Sequence, residues 1–335
     1  MYISIEKVTM GDVMRILVAG GAGFIGSNLI KRILNDSTDI VVVDNLSTGT
    51  IENILPFINL SNFRFYNIDI GVMNSLDFLS KEKFDYIYNF ACPANPPYCF
   101  SHSLDVINVN FFGTLQLAEL AIKSNAILFQ ASTSEVYGDP KCDSQNETYL
   151  GNVNPFGVRA CYDEGKRCAE TMLYDYKRMH NLDVRIVRIF NTYGPNMSLD
   201  DGRVMVQFFK KALSNEPIII YGSGNQTRSF CYITDLIEGI VELMSLSECP
   251  SSPVNLGTDE EFTIKEIAEK IINLTSSKSL ITYSDGTPDD PQKRKPCLDY
   301  AKKLLSWNPK VNINDGLRMC KEYFESKVNP QGLQS

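Results

Sequence analysis

Two histidines, His102 and His180, are all that this 335-residue chain contains. Neither a histidine-dependent triad nor a multi-histidine metal site is expected from so small a supply. Acid–base chemistry falls instead to Tyr, Lys, Glu or Asp, and no metal is expected. Basic charge is also short: 32 Lys and Arg stand against 40 Asp and Glu, a formal net charge of −8. Nucleic acid is thereby excluded as the main partner, because phosphate neutralisation needs a basic surface. No uncharged apolar run approaches the ~20 residues of a membrane span, so no membrane partner is expected. Nine cysteines lie scattered without CxxC or other metal-like spacing. An odd number, with no export signal, reads as reduced thiols in a cytoplasmic protein. The opening "MYISIEKVTMGDV" carries acidic residues and lacks an apolar core, so it is expected to be a short extension ahead of Met14 and not a signal peptide.

What is present suits a large α/β protein. Hydrophobic residues make up 44% and charged residues 21%, enough for one big domain or two that share a cleft. Short apolar runs alternate with helix-length segments through the first two-thirds. Expected strands are "RILVAG", "DIVVVD" ending at Asp44, "FRFYNID" ending at Asp69, "YIYNFA" ending at Ala91, "AILFQAS" ending at Ser132 and "DVRIVRIF" ending at Phe190. Their apolarity is continuous, as in a parallel sheet buried on both faces, and the intervening helices predict a doubly wound Rossmann sheet. After about Pro195 the pattern breaks into segments rich in Gly, Pro, Asn and Asp. This predicts a dinucleotide-binding domain over 14–194 and a smaller α/β substrate lobe over 195–328. The helix-like "YITDLIEGIVELM" lies in a stretch, 232–257, that is expected to return to the first domain.

Two stretches carry chemistry. "GGAGFIG" follows the first strand directly and runs into "SNLIKRIL", with Gly20, Gly23 and Gly26 three apart. Glycine permits the tight turn and lets backbone N–H groups approach a pyrophosphate at the helix N-terminus. Asp44, at the end of the second strand, can accept from ribose hydroxyls and would repel a 2′-phosphate, and Asn45 to Ser47 include no arginine. NAD is therefore favoured over NADP. Asp69 could reach the adenine or merely close a turn. Further on, Tyr162 and Lys166 stand four apart in "ACYDEGKRCAETMLYDYKRM", on one face of an expected helix. A nearby ammonium and a positive nicotinamide ring would lower the tyrosine pKa and let it take a proton from a sugar hydroxyl. Some 30 residues earlier, "STSEVYGD" (from Ser132) crowds Thr133, Ser134 and Glu135 where a buried strand should stop.

Gly20-x-x-Gly23-x-x-Gly26, Asp44, "STSEVYGD" and Tyr162-x-x-x-Lys166 together resemble the extended short-chain dehydrogenases/reductases, the NAD-dependent epimerase/dehydratase family that acts on nucleotide sugars. The resemblance runs from Met14 to about Phe324. It implies a trio of Thr133, Tyr162 and Lys166 at the sugar C4 hydroxyl. It implies NAD against Gly20, Gly23, Phe24, Ile25, Gly26, Asp44, Asn45, Asp69, Ile70, Ala91, Tyr162 and Lys166. For substrate it implies Pro93, Ser134, Asn191, Arg203, Tyr221, Arg228 and Arg294. Asn110, in "NVNFFGTLQLAEL", matches a family asparagine that is structural and cofactor-adjacent. The family also pairs subunits through the helix bearing Tyr162 and the one around Asn110 to Ser124, which implies a homodimer.

Finer stretches resemble the branch that decarboxylates UDP-glucuronate to UDP-xylose: "ACPANPPY", "NPFGVRACYDEGKRCAETM", "RIFNTYGPNM", "DDGRV", "YGSGNQTRSFCYITDL" and "DDPQKRKP". In one departure, Cys297 stands in "KPCLDYAKK" where an acidic residue is expected. By this resemblance Arg294 pairs with the C5 carboxylate and Glu135 manages a proton or water at C5. Composition alone would place "KRK" on a solvated surface. Rival readings are a dTDP-glucose 4,6-dehydratase, which typically has an Asp–Glu pair where this chain has Ser134–Glu135, a 4-epimerase, a UDP-apiose synthase and a non-catalytic NAD sensor.

Overall fold

The computed structural model describes residues 13–286 and 293–328. The proposed extension before Met14 and the first residues of "DDPQKRKP" lie outside the described residues, apart from Val13. Seven parallel strands form the main sheet. Six come in chain order: β1 (Met14–Ala19), β2 (Thr38–Asp44), β3 (Phe63–Asn67), β4 (Tyr86–Asn89), β5 (Ile127–Thr133) and β6 (Val184–Ile189). Their order in space is 3-2-1-4-5-6, and Val254–Leu256 adds a seventh strand beside β6.

The continuous apolarity of the strands has the expected cause. Ile16, Val18, Ile40 and Val42 enter one core, whereas Leu17, Ala19, Val41 and Val43 enter another on the opposite face. Alternate residues thus point to two buried layers, and no strand face is left for polar side chains. Helix α1 (Phe24–Ile33) and the helix Ile233–Ser245 cover the first face through Leu29, Ile30, Leu236 and Ile240. On the sheet's other face lie α4 (Thr114–Ser124) and α5 (Ala160–His180), with Leu117, Ala121 and Leu173 in the second core. Two short helices, α2 (Pro96–Ser101) and α3 (Ser103–Asn108), precede them.

Most strand ends fall within one residue of the sequence reading, and three larger differences stand out. The strands expected to reach Asp69 and Ala91 stop at Asn67 and Asn89. Asp69 accepts from the Gly71 N–H at 2.7 Å and Asn89 from the Ala91 N–H at 3.2 Å, so side-chain carbonyls close turns where the ladder would have continued. "NVNFFGTLQLAEL" is not one α-helix from its start. A π-helical turn, Val109–Gly113, separates α3 from α4 and presents Asn110, whose amide donates to the Val106 carbonyl at 2.9 Å.

The rest of the chain builds a smaller layer of helices, among them Val204–Leu213, Ile264–Thr275 and Ile313–Val328, around short strands. One three-stranded sheet matters most for the site. Thr227–Ser229 lies between Glu261–Thr263, antiparallel, and Lys293–Arg294, parallel, with Arg294 in register with Arg228.

Below the end of β5 a polar network ties the sheet to α5. Glu170 of α5 accepts from Ser132 and pairs with Arg188 of β6 at 2.7 Å, and Arg188 donates to the Tyr137 hydroxyl at 3.0 Å. Tyr137 in turn donates to Asn255 at 2.8 Å. Both ion-pair partners are mostly buried. Glu170→Ala strands the Arg188 guanidinium and should lower unfolding stability by about 3 kcal/mol or more in urea titrations. A loss under about 1 kcal/mol would show that the pair is solvent-screened.

Candidate active site

The site lies at the carboxyl ends of the strands, where the order reverses between β1 and β4. The turn after β1 begins at Gly20, with φ +78°. A Cβ there would stand 2.6 Å from the Phe90 carbonyl carbon, so only glycine lets β1 and β4 diverge at that closeness. The turn leads into α1, whose N-cap Gly23 offers no side-chain cap and whose first turn carries no acidic residue. Its leading N–H groups are thus presented to an anion.

Asp44, expected to face a ribose, also holds backbone. One carboxylate oxygen accepts from the Ala22 N–H at 2.9 Å and the other from the Leu46 N–H at 2.8 Å. The acid expected to choose the cofactor also pins the glycine turn. Burial raises its pKa, against the two N–H groups that favour the charge. Asp69 accepts from Asn45 at 3.1 Å as well as from Gly71, and the buried Ile70 follows it. The glycine turn, Asp44 and the uncapped helix end fit the diphosphate and ribose of a dinucleotide.

A single cleft of about 980 Å³ brings together every site residue named from the sequence. Gly20, Gly23, Phe24, Ile25, Gly26, Asp44, Asn45, Asp69, Ile70 and Ala91 line one end, and Pro93, Asn191, Arg203, Tyr221, Arg228 and Arg294 line the other. Thr133, Ser134, Glu135, Tyr162 and Lys166 lie at the junction. Here β5 ends and the chain makes a 3₁₀ turn, Ser134–Tyr137, that opens with the Thr133 hydroxyl accepting from the Glu135 N–H at 3.2 Å. Gly138 reverses the chain at φ +62°, where a Cβ would meet the Asn152 carbonyl oxygen. "STSEVYGD" is thus a strand end turned back on itself, holding its polar side chains at the cleft.

Tyr162 and Lys166 share a face of α5, with the Lys166 ammonium 5.9 Å from the tyrosine ring centre. Lys166 is buried and donates to the Ala131 carbonyl at 2.9 Å, which fixes it beneath the end of β5. The expected lowering of the Tyr162 pKa is not seen in the protein itself. Burial pushes the phenol up, and nearby Cys92 adds to the rise, against a hydrogen bond with Thr133 that favours the phenolate. The phenol therefore holds its proton until a positive charge arrives beside it.

Glu135 is paired with two arginines at the cleft. One carboxylate oxygen pairs with Arg294 and the other with Arg159 at 3.2 Å. Burial alone would raise its pKa, but Arg294, Arg159 and Arg228 together hold it below the ordinary carboxylate range. Arg294 is only 2% exposed, contrary to the surface that "KRK" suggests by composition. Its guanidinium also donates to Ser134 at 3.3 Å and to the Gly138 carbonyl at 3.1 Å, while its Nε is buried without a partner. Arg203 is held by Asp201 and stacks 5.9 Å over Phe24. Arg159 escaped the sequence reading altogether. Its only signal was its place three residues before Tyr162, at the N-cap of α5.

These features define a dinucleotide-dependent α/β enzyme with a Thr–Tyr–Lys centre. The chain belongs to the NAD dependent epimerase/dehydratase family, whose model matches residues 16–257. It is 44% identical over 317 residues to UDP-glucuronic acid decarboxylase 3 of Arabidopsis thaliana, covering 94% of this chain and 90% of that protein. It is also 44% identical to UDP-glucuronic acid decarboxylase 1 of Danio rerio, covering 98% of this chain and 77% of that protein. Among solved structures, UDP-glucuronic acid 4-epimerase from Bacillus cereus, in complex with UDP-glucuronic acid and NAD, superposes with a TM-score of 0.85 at 26% identity. That match covers 94% of this chain and all of the epimerase. NAD is the cofactor. Calorimetry should show NAD binding at least about tenfold tighter than NADP, because the buried Asp44 opposes a 2′-phosphate. Equal affinities would remove Asp44 from that choice.

Proposed function

We propose that this chain decarboxylates UDP-glucuronate to UDP-xylose and CO₂. One observation carries the choice within the family: Glu135, flanked by the buried Arg294 and by Arg159, stands directly beside the Thr133–Tyr162 pair. A C4 centre thus adjoins a site able to hold a carboxylate. The named decarboxylases, at 44% identity over nearly the whole chain, support the same reading.

The chemistry follows from where the charges lie. Tyr162, hydrogen-bonded to Thr133, takes the proton of the C4 hydroxyl, and Lys166 steadies the resulting phenolate. NAD, held by the Gly20–Gly26 turn and Asp44, would supply the acceptor for the C4 hydride and the donor that restores it. The C4 ketone is β to the C5 carboxylate, so loss of CO₂ sends the electron pair into that carbonyl. Arg294 orients the carboxylate, its contact to Ser134 giving way to the substrate while its pair with Glu135 is kept. Glu135 keeps a proton or water ordered at C5. Tyr162 returns its proton to the C4 oxygen, while Asn191, Arg203, Tyr221 and Arg228 hold the sugar diphosphate. Residues 14–194, with a return near 232–257, serve the cofactor, and 195–328 mainly serve the nucleotide sugar.

The same reading includes a homodimer in the cytoplasm. Leu104, Ile107, Phe111 and Ile122, around α3 and α4, and Tyr174 on α5 are exposed. A partner covering them would bury a continuous apolar surface. All nine cysteines are free, which suits a reducing compartment. Light scattering at micromolar concentration should give twice the chain mass, and a monomer would refute the pairing.

Incubation with UDP-glucuronate should release CO₂ and UDP-xylose. Formation of UDP-galacturonate without CO₂ would instead make the chain a 4-epimerase. Tyr162→Phe should lower turnover at least ~10²-fold with folding and NAD binding retained. Arg294→Ala should slow CO₂ release by a similar factor, because Glu135 then lacks its buried counter-charge and the substrate carboxylate its fork. Near-normal CO₂ release from Arg294→Ala would take Arg294 out of the mechanism.

A further inference from the structure

The Glu135 cluster is a wall with a cavity behind it. A second space of about 50 Å³ is lined by Glu135, Asp139, Asn152, Arg159, Asp163 and Arg294, among others. Glu135, Arg159 and Arg294 also line the main cleft, so the ion cluster divides the two. A polar space of this size admits a water molecule or two. Asp139 and Asn152 are exposed, and they set its outer rim at the surface.

Asp163 sits in the first turn of α5, next to Tyr162, and is 9% exposed. Its Oδ1 is fully buried with no hydrogen-bond partner. A buried carboxyl oxygen without a donor favours the neutral acid. The charged and titratable groups around it are Glu135 beyond β5, Arg294 from the small sheet, Arg159 just before α5, Glu164 and Cys161 on α5, and Cys99 of α2. Burial, and then the charge of Glu135, raise its pKa to about 7 against the two arginines.

The proposed reaction needs one proton at C5 in each turnover. Glu135 is held ionised by its arginines, so it has no proton of its own to give. We infer that Asp163 supplies that proton, handing it through water in the small cavity and the Glu135 carboxylate to the carbon that CO₂ leaves. The bond between C5 and the carboxylate breaks, and its electrons rest on the C4 oxygen as an enolate. They return to C5 as the new C–H bond forms. The Asp163 O–H breaks in exchange, and solvent entering past Asn152 and Asp139 restores it. No oxidant or reductant is added. This assignment rests on the decarboxylase reading and gives it an acid that the Thr–Tyr–Lys trio lacks.

The test is a single turnover of the NAD-loaded enzyme with UDP-glucuronate, following CO₂ and the absorbance of reduced cofactor separately. In the wild type the reduced cofactor should decay more slowly as pH rises through about 7, as the neutral Asp163 is lost. Asp163→Asn keeps the side-chain shape and removes the acid. Its decay should slow roughly 10²-fold and lose that pH step, while CO₂ release changes by less than about tenfold. An unchanged decay in the variant overturns the assignment. The wild-type profile stands independently of the variant's folding, and a decay that stays flat with pH overturns it equally. If the wild type releases no CO₂ at all, the decarboxylase reading itself is what has failed.

Discussion

The pairing of Glu135 with Arg294 and Arg159 is the constraint on which the cleft depends. A carboxylate and two guanidiniums are taken largely out of water there, and none is tolerable without the others. The contact joins three parts of the chain: the 3₁₀ turn after β5, the start of α5, and a two-residue strand more than 130 positions beyond that helix start. Arg294 reaches it because Lys293–Arg294 pairs with Thr227–Ser229, so a backbone ladder sets the depth of a charge. The small three-stranded sheet is thereby fastened to the end of β5 at the cleft.

The same economy recurs at the glycine turn. Asp44 accepts from the Ala22 N–H, and so the carboxylate proposed to meet a ribose also fixes the turn proposed to meet a pyrophosphate. Lys166 donates to the Ala131 carbonyl and so holds α5 against the end of β5. Neither residue is only a binding group. Each holds backbone in place, which keeps the cleft formed in the free protein and spares the ligand the cost of ordering it.

Local patterns made much of this legible. A glycine triplet between a strand and a helix, an acid at the end of the next strand, and Tyr-x-x-x-Lys on a helix are short-range signals with one geometric meaning each. The two-sided burial of the strands was equally readable, since residues 40–43 are apolar without alternation. Strand ends were misjudged at Asp69 and Ala91, because side-chain carbonyls of Asp69 and Asn89 compete with the ladder and no apolarity pattern records that. The depression expected at Tyr162 was likewise a judgement from neighbours in sequence. Burial beside Cys92, Cys99 and Val106, which come from the loop after β4 and from α2 and α3, raises its pKa instead.

The sequence by itself determined the sheet, the cofactor turn and the helical Tyr–Lys pair, because each is specified within a few residues by steric and periodic rules. Tertiary structure alone decided that Arg294 is buried and not solvated, that Arg159 shares its carboxylate, and that Asp163 looks into a cavity behind Glu135. Charges and cavities depend on which segments meet. A basic run such as "KRK" reads the same whether water or a buried glutamate lies opposite it, and only the pairing of two short strands settles which one does.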